Sequence, residues 1–491
     1  MKKYVLFGAG EYANYAVRII GKSNIVFIVD NDLNKCGTEL QGIPVYSFKK
    51  KITECREYIV VISVSNKCYD EIATQLKQSG ITDFLSVTEI QIEKNKKKIE
   101  NRCDYIGVYK KAIDWIKINS IENHAIVCTS DKRKGYPEVT GYYIPTLLRW
   151  GYRELACQYT EWLLDSQKED GAWYDTDDTA PYIFDTAQIL KGLIAIKDIY
   201  YDSERVKNSI LRGVDWILSC MTVEGQLVTP DTECWGTDQN VCCELIHLYC
   251  LSPLIDAGKI YERPDYIEKA HTILEYYKKN YYEKIMNFSL LSHFYAYVIE
   301  ALLDVGEVEM AREAMDKIAN FQKRSGAVPA YHNMDWVCST GLFQFALIWF
   351  RLGNIERGNV AFEYACKLQN ETGGWYGSYI SEENTNEKNT YFPYEEISWA
   401  NKFFLDALYY KNKAEFESVS DIFLDTISKD DERYTTIRDA ISDFKNAKIL
   451  DLGCGKGRYL KNLLEDGLEN QYYGVDISQN VIKELTQYPI T

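Results

Sequence analysis

The chain has 491 residues, a length that predicts roughly two to four domains, each able to bury its own core. Lys and Arg number 56 against 72 Asp and Glu, a formal net charge of -16, which excludes a whole-molecule field drawing the protein to nucleic acid or anionic lipid. Hydrophobic residues at 46% and charged residues at 26% exclude wholesale disorder. The opening MKKYVLFGAG holds only a strand-length apolar run, too short for a signal-peptide core or a membrane span. Fourteen cysteines include no CxxC pair, and Cys242 and Cys243 sit side by side on a stretch that reads as helix. Zinc has no support, and free thiols in a reducing cytoplasm are expected. The 39 tyrosines point to aromatic-lined cavities beside ordinary packing.

The first element is a short apolar run, Tyr4 to Phe7, followed by Gly8-Ala9-Gly10-Glu11-Tyr12-Ala13 and a helix-periodic stretch through Ile20. A second buried strand, Ile25 to Val29, ends on Asp30, 22 residues past Gly8. That is the spacing of a dinucleotide fingerprint, in which glycines let the backbone approach a pyrophosphate at a helix N-terminus and the acid meets ribose hydroxyls. Gly8, Gly10, Ala13 and Asp30 are therefore candidate nucleotide-binding positions. Strands at Tyr58 to Val64 and Phe84 to Val87 complete a small parallel sheet ending near residue 95. The segments Val29-Asp30-Asn31-Asp32 and Gly42-Ile43-Pro44-Val45 resemble the N-terminal Rossmann-like domain of sugar-modifying proteins from bacterial polysaccharide pathways. That resemblance implies a nucleotide-sugar as readily as NAD.

From Tyr105 to about Tyr410 the pattern turns to long helix-period segments with hardly any strand signal. Gln167-Lys168-Glu169-Asp170-Gly171-Ala172-Trp173 recurs as Gln369-Asn370-Glu371-Thr372-Gly373-Gly374-Trp375, with weaker copies at Met221 to Gly225 and Gln322 to Gly326. The glycines stand 54, 101 and 47 residues apart, which fits steps of about 50 with one degenerate repeat near Tyr281. Each unit reads as a helical hairpin closed by a glycine turn. Five or six such hairpins bury their apolar faces by closing into an (α/α) toroid with the turns on one rim. The Q-x-x-x-G-x-W turns are similar to those of squalene cyclase and prenyltransferase barrels, and more loosely to six-hairpin glycan-active enzymes.

Two chemistries compete in the ring. Asp175-Thr176-Asp177-Asp178-Thr179-Ala180 resembles the DxDDTA of class II terpenoid cyclases, where a protonated Asp attacks an alkene. The same residues follow a turn where Asp and Thr commonly cap helices, and a helix cap is what we expect of them. The second chemistry is a carbohydrate cleft at the mouth, with candidate carboxylates Asp177, Asp185, Asp335, Glu395 and Glu396 beside Trp173, Tyr182, His332, Trp336, Trp375 and Trp399. Aromatic faces bind sugar rings, and paired carboxyls hydrolyse glycosidic bonds. A non-catalytic binding role explains the same residues. His247 and His332 read as ordinary packed or hydrogen-bonded histidines. The stretches Tyr331 to Gly341 and Tyr391 to Ala400 resemble the toroid of multidomain polysaccharide-pathway proteins that end in a methyltransferase.

After a linker and an amphipathic helix over Asp421 to Phe444 comes Lys448-Ile449-Leu450-Asp451-Leu452-Gly453-Cys454-Gly455-Lys456-Gly457-Arg458, a strand, a DxGxGxG turn and a helix start. Asp476 follows at the end of the next strand, Tyr472 to Val475. The pair resembles motif I and the next acidic position of class I S-adenosylmethionine-dependent methyltransferases. The resemblance implies that Gly453, Gly455 and Gly457 pass close to the methionine and ribose. It assigns Asp451 to the amino group or an ordered water, and Asp476 to the ribose hydroxyls. Only 44 residues run from Lys448 to Thr491, so the methyltransferase domain is expected to be truncated here and this chain to lack turnover.

The expected architecture is multidomain: a small α/β Rossmann-like nucleotide-binding domain over residues 1–95, an all-α (α/α) toroid over 105–412, and a linker helix with the N-terminal part of an α/β Rossmann-like methyltransferase over 413–491. The expected function is S-adenosyl-L-methionine-dependent methyl transfer to a sugar or glycan in surface-polysaccharide biosynthesis. A glycan-binding or glycan-processing toroid is the alternative, and a terpenoid cyclase the third reading. Expected partners are a small-molecule or glycan substrate and other glycan-biosynthesis enzymes, without nucleic acid, metal or transmembrane segment.

Overall fold

The computed structural model describes residues 2–100, 103–230, 245–380 and 390–491; Cys242 and Cys243 lie outside the described residues. The chain divides into two compact units, Met1–Gln344 with Val360–Phe404, and Phe345–Asn359 with Leu405–Thr491.

The first unit opens with a six-stranded sheet: β1 (Tyr4–Phe7), β2 (Ile25–Asp30), β3 (Glu39–Leu40), β4 (Ile43–Ser47), β5 (Ile59–Ile62) and β6 (Phe84–Ser86), in the order β3-β4-β2-β1-β5-β6. All neighbours are parallel except β3 and β4. The β-branched runs of β1, β2 and β5 are buried because both faces of the sheet are covered. Helices Glu11–Ile20 and Val87–Glu100 contribute Ala13, Ala16, Val17, Val87 and Ile90 to one face. Helices Phe48–Cys55 and Asn66–Gln78 contribute Phe48, Cys55, Ile72 and Leu76 to the other. The β3–β4 pair adds two strands to the four expected. Pro44, which lacks an amide donor, interrupts β4 as a strand signal, and it is tolerated where β4 meets the two-residue edge strand β3.

The helical part of the chain alternates outer and inner helices, and its last three helices run from one unit into the other. The outer helices are Tyr105–Ile118, Arg153–Ser166, Ser203–Ser219, Pro264–Ile285, Val308–Ala319 and Ile355–Lys367. Each is followed by an inner one: Pro137–Arg149, Ile183–Ile196, Leu251–Ile260, Ser292–Asp304, Ser339–Arg351 and Ser398–Ser418. Inner helices such as Ile183–Ile196 are buried nearly all round, whereas outer helices such as Ser203–Ser219 bury a single stripe, as a two-layered ring requires.

The repeated glycine turns explain the closure. Gly171, Gly225, Gly326 and Gly373 all hold φ between +96° and +101°. An added Cβ at each would lie no more than 2.7 Å from a backbone oxygen of the next outer helix: that of Arg212, Thr272, Val360 and Lys111 respectively. The last of these belongs to the first outer helix, so the ring is shut. Gln167 Nε2 donates to Gly171 O (2.9 Å) and to Ser209 O (3.0 Å) on the next outer helix. Gln369 Nε2 repeats the bond pattern at the seam, to Gly373 O (3.0 Å) and Val108 O (2.9 Å). Trp173 and Trp375, both fully buried, each donate the indole N–H back to their own outer helix, at Leu163 O (2.7 Å) and Ala365 O (2.8 Å). The degenerate repeat falls where helix Pro264–Ile285 carries a non-helical Tyr281 (φ -126°) and turns into the next helix without a glycine.

One segment of the ring enters the core of the sheet domain. Tyr394 is buried in the cluster under helix Glu11–Ile20, stacked on Tyr15 with ring centroids 5.0 Å apart, and its hydroxyl lies 3.3 Å from Thr88 Oγ1. Arg18 pairs with Asp131 at 2.6 Å.

In the second unit, strand Lys448–Leu452 pairs in parallel with Gln471–Val475. Helix Arg458–Glu465 crosses between them, and Tyr434, Leu460, Leu463, Tyr472 and Leu485 form a small core. Among the described residues no helix is long and apolar enough to cross a membrane, and no group of three His, Cys, Asp or Glu side chains is placed to hold a metal ion.

Candidate functional site

Strand Lys448–Leu452 delivers its chain into a loop of three left-handed glycines, Gly453 (φ +74°), Gly455 (φ +52°) and Gly457 (φ +70°). The reversal is tied down by Gly453 N and Cys454 N, both donating to Val475 O at 2.7 and 3.1 Å. A Cβ at Gly453 would meet nothing within 4 Å, and one at Gly455 only the Phe423 ring edge at 3.9 Å, so the loop backbone lies open to an incoming group. Asp451 is half-buried at the strand end, and its Oδ2 is buried without a hydrogen-bond partner. Burial raises its carboxyl above the usual range, with Arg458 opposing and Asp476 reinforcing. Asp476 accepts Gly455 N on Oδ2 and Ser478 N on Oδ1, each at 2.9 Å, and each oxygen keeps a further lone pair. The two carboxylates offer acceptors of the kind that an ammonium group and a vicinal diol need.

The N-terminal turn has similar wiring and a different filling. Asp30 accepts Ala9 N on Oδ2 (2.7 Å) and Asp32 N on Oδ1 (2.8 Å), and Lys35 Nζ lies 3.6 Å from Oδ2. Gly8 (φ +112°) is fixed by the adjacent strand end, because a Cβ there would lie 2.7 Å from Ser63 O. At Gly10, the residue preceding helix Glu11–Ile20, a Cβ would meet only Lys35 Nζ at 4.0 Å. Ala13 is buried in the helix–sheet core. Gly10 and Lys35 are thus the parts of this turn open to an anion.

The toroid gathers polar groups at the N-terminal ends of its inner helices. Tyr136 Oη donates to Asp185 Oδ2 at 3.4 Å, and Asp185 Oδ1 is buried with no partner. Burial, reinforced by Asp175 and opposed by the Tyr136 bond, pushes the Asp185 carboxyl up to about 7. Burial, with Asp185 adding to it, also raises Glu138 well above the carboxylate range, against a Tyr136 hydrogen bond and Lys402. His293, at the start of the fourth inner helix, holds Gln344 Oε1 at 2.7 Å and is pushed down to about 3 by burial, so it is neutral. Around it stand Tyr297 (ring centroids 4.7 Å), Tyr391 (6.0 Å) and Trp399 (6.3 Å). Trp399 Nε1, Thr340 Oγ1 and Glu395 Oε2 are buried without partners. Protonated carboxyls among aromatic rings can donate a proton near neutral pH.

Of the carboxylates proposed from sequence, Asp185 is in this buried group and Glu395 is half-buried with Oε2 unpartnered. Glu396 serves packing instead, accepting Trp115 Nε1 (2.7 Å), Asn370 Nδ2 (2.9 Å) and the Thr372 hydroxyl, which locks the seam turn. Asp335 is half-exposed, 3.8 Å from Lys323, and His332 is exposed. Trp336 and Tyr182 are buried, and His247 is packed between Thr229 Oγ1 (3.2 Å) and the Tyr277 hydroxyl (3.0 Å). Sequence reasoning does not single out Tyr136, Glu138, His293 or Lys402; the available signal is a lone polar residue opening an otherwise apolar helix.

The Asp175–Asp178 cluster is neither a helix cap nor a buried acid. Helix Ile183–Ile196 begins five residues after Asp178 and has no side-chain cap. Asp175 instead organises its own loop, accepting Asp177 N (3.0 Å), Thr179 N (2.9 Å) and Ala180 N (3.3 Å), while Asp178 adopts φ +60°. Exposed Asp177 pairs with Lys134 and exposed Asp178 with Lys168, both at 2.6 Å, and the Lys134 bond lowers the Asp177 carboxyl. An acid held ionised at the surface is the opposite of what alkene protonation needs. Asp175→Ala is expected to lower stability by about 1–3 kcal/mol through the freed amides, more than Asp177→Ala or Asp178→Ala, as read by urea denaturation.

A family model described as a methyltransferase domain matches residues 443–487, and one described as C2185-like, N-terminal, matches residues 1–84. No curated protein matches the chain. Among solved structures the chain is similar to a novel alpha-amylase from Clostridium perfringens at 15% identity, covering 62% of this chain and 97% of that one with a TM-score of 0.45. It is similar to a glycosyl hydrolase family 88 protein from Bacteroides vulgatus at 10% identity, covering 66% and 99% with a TM-score of 0.46. An unsaturated glucuronyl hydrolase specific for heparin shares 15% identity over 66% of this chain and 98% of its own, with a TM-score of 0.44.

Proposed function

We propose that this protein is an S-adenosylmethionine-dependent methyltransferase of surface-polysaccharide biosynthesis, acting in the cytoplasm on a sugar or other glycan group. The carrying observation is the Asp451 carboxylate, with a buried unpartnered oxygen beside an open loop of left-handed glycines, facing Asp476 at the next strand end. Bound there, S-adenosylmethionine supplies an electrophilic methyl group. Asp451 holds its ammonium, Asp476 accepts the ribose hydroxyls, and Gly453 and Gly455 leave the backbone bare beside both, whereas Gly457 is packed under Leu485. In this reading residues 1–95 bind a nucleotide, as nucleotide-sugar or NAD, with its pyrophosphate at Gly10 and the start of helix Glu11–Ile20. Residues 105–412 form the toroid, and 413–491 carry the methyl-donor site.

Titration calorimetry with S-adenosylmethionine tests the assignment. Asp451→Ala and Asp476→Ala are each expected to weaken binding about tenfold or more, the scale of a lost charge-assisted hydrogen bond, whereas Gly10→Val leaves it unchanged. The reverse pattern means that the two glycine turns have been assigned the wrong way round.

A second reading is favoured by the buried toroid group. Asp185 and Glu138, both raised by burial and both near Tyr136 among aromatic rings, suit the processing of a glycan in the ring interior. Glycan cleavage lost in Asp185→Asn, with S-adenosylmethionine binding intact, supports it.

A further inference from the structure

We propose that Glu417 is a positioning residue of the methyl-donor pocket: its carboxylate clamps the turn following Asp476 and so orients the Asp476 carboxylate toward the ribose diol of an adenosine-bearing ligand. The inference rests on the reading of Asp451 to Asp476 as the S-adenosylmethionine site.

Glu417 is the penultimate residue of helix Ser398–Ser418, far from Asp476 in sequence and in the same compact unit. Its Oε2 accepts the Ser478 hydroxyl at 3.0 Å and Asn480 N at 3.3 Å, and its Oε1 accepts Gln479 N at 2.6 Å. The Ser478 side chain does not cap the helical turn Gln479–Lys483 that it precedes, so Glu417 performs that service from outside. One carboxylate thus holds three donors on three consecutive residues, which fixes the turn in rotation as well as in place.

The order passes inward. Ser478 N, on the clamped residue, donates to Asp476 Oδ1, and Gly455 N donates to Asp476 Oδ2. These two bonds, from opposite sides, set the plane of the Asp476 carboxylate. One bond comes from the glycine loop itself, and the other is only as steady as the turn Glu417 holds. A diol is bound by both oxygens of one carboxylate, and such a contact tolerates misplacement of only about 0.5 Å. The chain just beyond Glu417 is anchored to the same loop: Lys456 pairs with Asp425 at 3.1 Å, and Phe423 is the nearest side chain to Gly455. Loss of the Glu417 carboxylate leaves Ser478, Gln479 and Asn480 to water, frees the turn, and lets the Asp476 carboxylate rotate away from the ribose position.

The effect belongs at the adenosine end of the ligand, which separates positioning from general support. Calorimetry on the full chain uses two probes: S-adenosylmethionine, and 5′-methylthioadenosine, which keeps the ribose and lacks the amino-acid arm. Glu417→Ala and Glu417→Gln are expected to weaken both probes by the same factor, about tenfold for Ala and less for Gln. Asp451→Ala weakens S-adenosylmethionine alone. In the double variant with Asp476→Ala, the Glu417→Ala loss disappears, because it acts through that carboxylate. The proposal is overturned if Glu417→Ala leaves both affinities unchanged while Asp476→Ala lowers them, or if the two losses add. If neither Asp451→Ala nor Asp476→Ala alters S-adenosylmethionine binding, the underlying site assignment has failed instead. Thermal melting of Glu417→Gln within about 2 °C of the parent shows that the loss is local.

Discussion

Replacing Gly373 with alanine is expected to destabilise the toroid by about 3–5 kcal/mol, among the largest single-residue effects in the chain. Two penalties coincide there. The backbone sits at φ +97°, which an L side chain rarely adopts, and the new Cβ would collide with Lys111 O on the first outer helix. Neither the turn nor the helix can yield freely, because Gln369 bridges them through Val108 O and Asn401 Nδ2 holds Gly373 O at 3.1 Å. Gly353, at φ +79° with nothing within 4 Å of a would-be Cβ, isolates the conformational part alone. Gly353→Ala should cost only about 1–2 kcal/mol. Urea unfolding followed by tryptophan fluorescence compares the two, and equal losses would show that the seam contact contributes nothing.

The second large effect is a pH dependence. Asp185 has an ordinary value of 3.8 and is pushed up to about 7 in the fold, so between those values the folded carboxyl stays protonated while the unfolded one ionises. The unfolded state then binds fewer protons. The stability that Asp185 contributes is therefore fully present below pH 4, falls as pH rises toward 7, and is gone above it. Asp185→Asn should remove a fall of up to about 4 kcal/mol across that window. Glu138, raised by the same burial, leaves a residual slope in the variant. Unfolding midpoints at pH 4, 5.5, 7 and 8 give the measurement, and parallel profiles for parent and variant would contradict a buried neutral Asp185.

What the sequence disclosed and what it concealed follow from the range of the interactions. The glycine turns were legible because each motif is compact: Gln, Gly and Trp stand within seven consecutive residues, and their recurrence reports a repeating packing requirement. The glycine loop after Asp451 was legible for the same reason. Strand β4 was hidden by Pro44, whose ring is acceptable because it stands opposite the two-residue edge strand β3, a pairing that the chain does not announce. The Asp175–Asp178 cluster was misjudged because a short acidic run is compatible with a helix cap and with an Asp-centred loop alike. The left-handed Asp178 that decides between them leaves no mark in the residue order. Asp185 was recognisable as an acid, but its raised carboxyl comes from burial inside the ring, which the residue order does not announce. The Glu417 clamp joins residues more than sixty positions apart and has no periodic signature at all.

The shut seam has a consequence for how the protein is made. Gln369 stands 261 positions after Val108, and at about 5–20 residues per second that stretch takes on the order of 13–50 s to synthesise. Throughout that interval the first hairpin waits on the ribosome with its partner surface wet. The sheet domain, translated first, waits longer still for Tyr394, which covers Tyr12 and Tyr15. Both surfaces are apolar, and both are finished by the same late stretch of chain. Nascent chains stalled before residue 394 should accordingly be held by chaperones and be prone to aggregate, whereas those extended until residue 404 has cleared the ribosome should release.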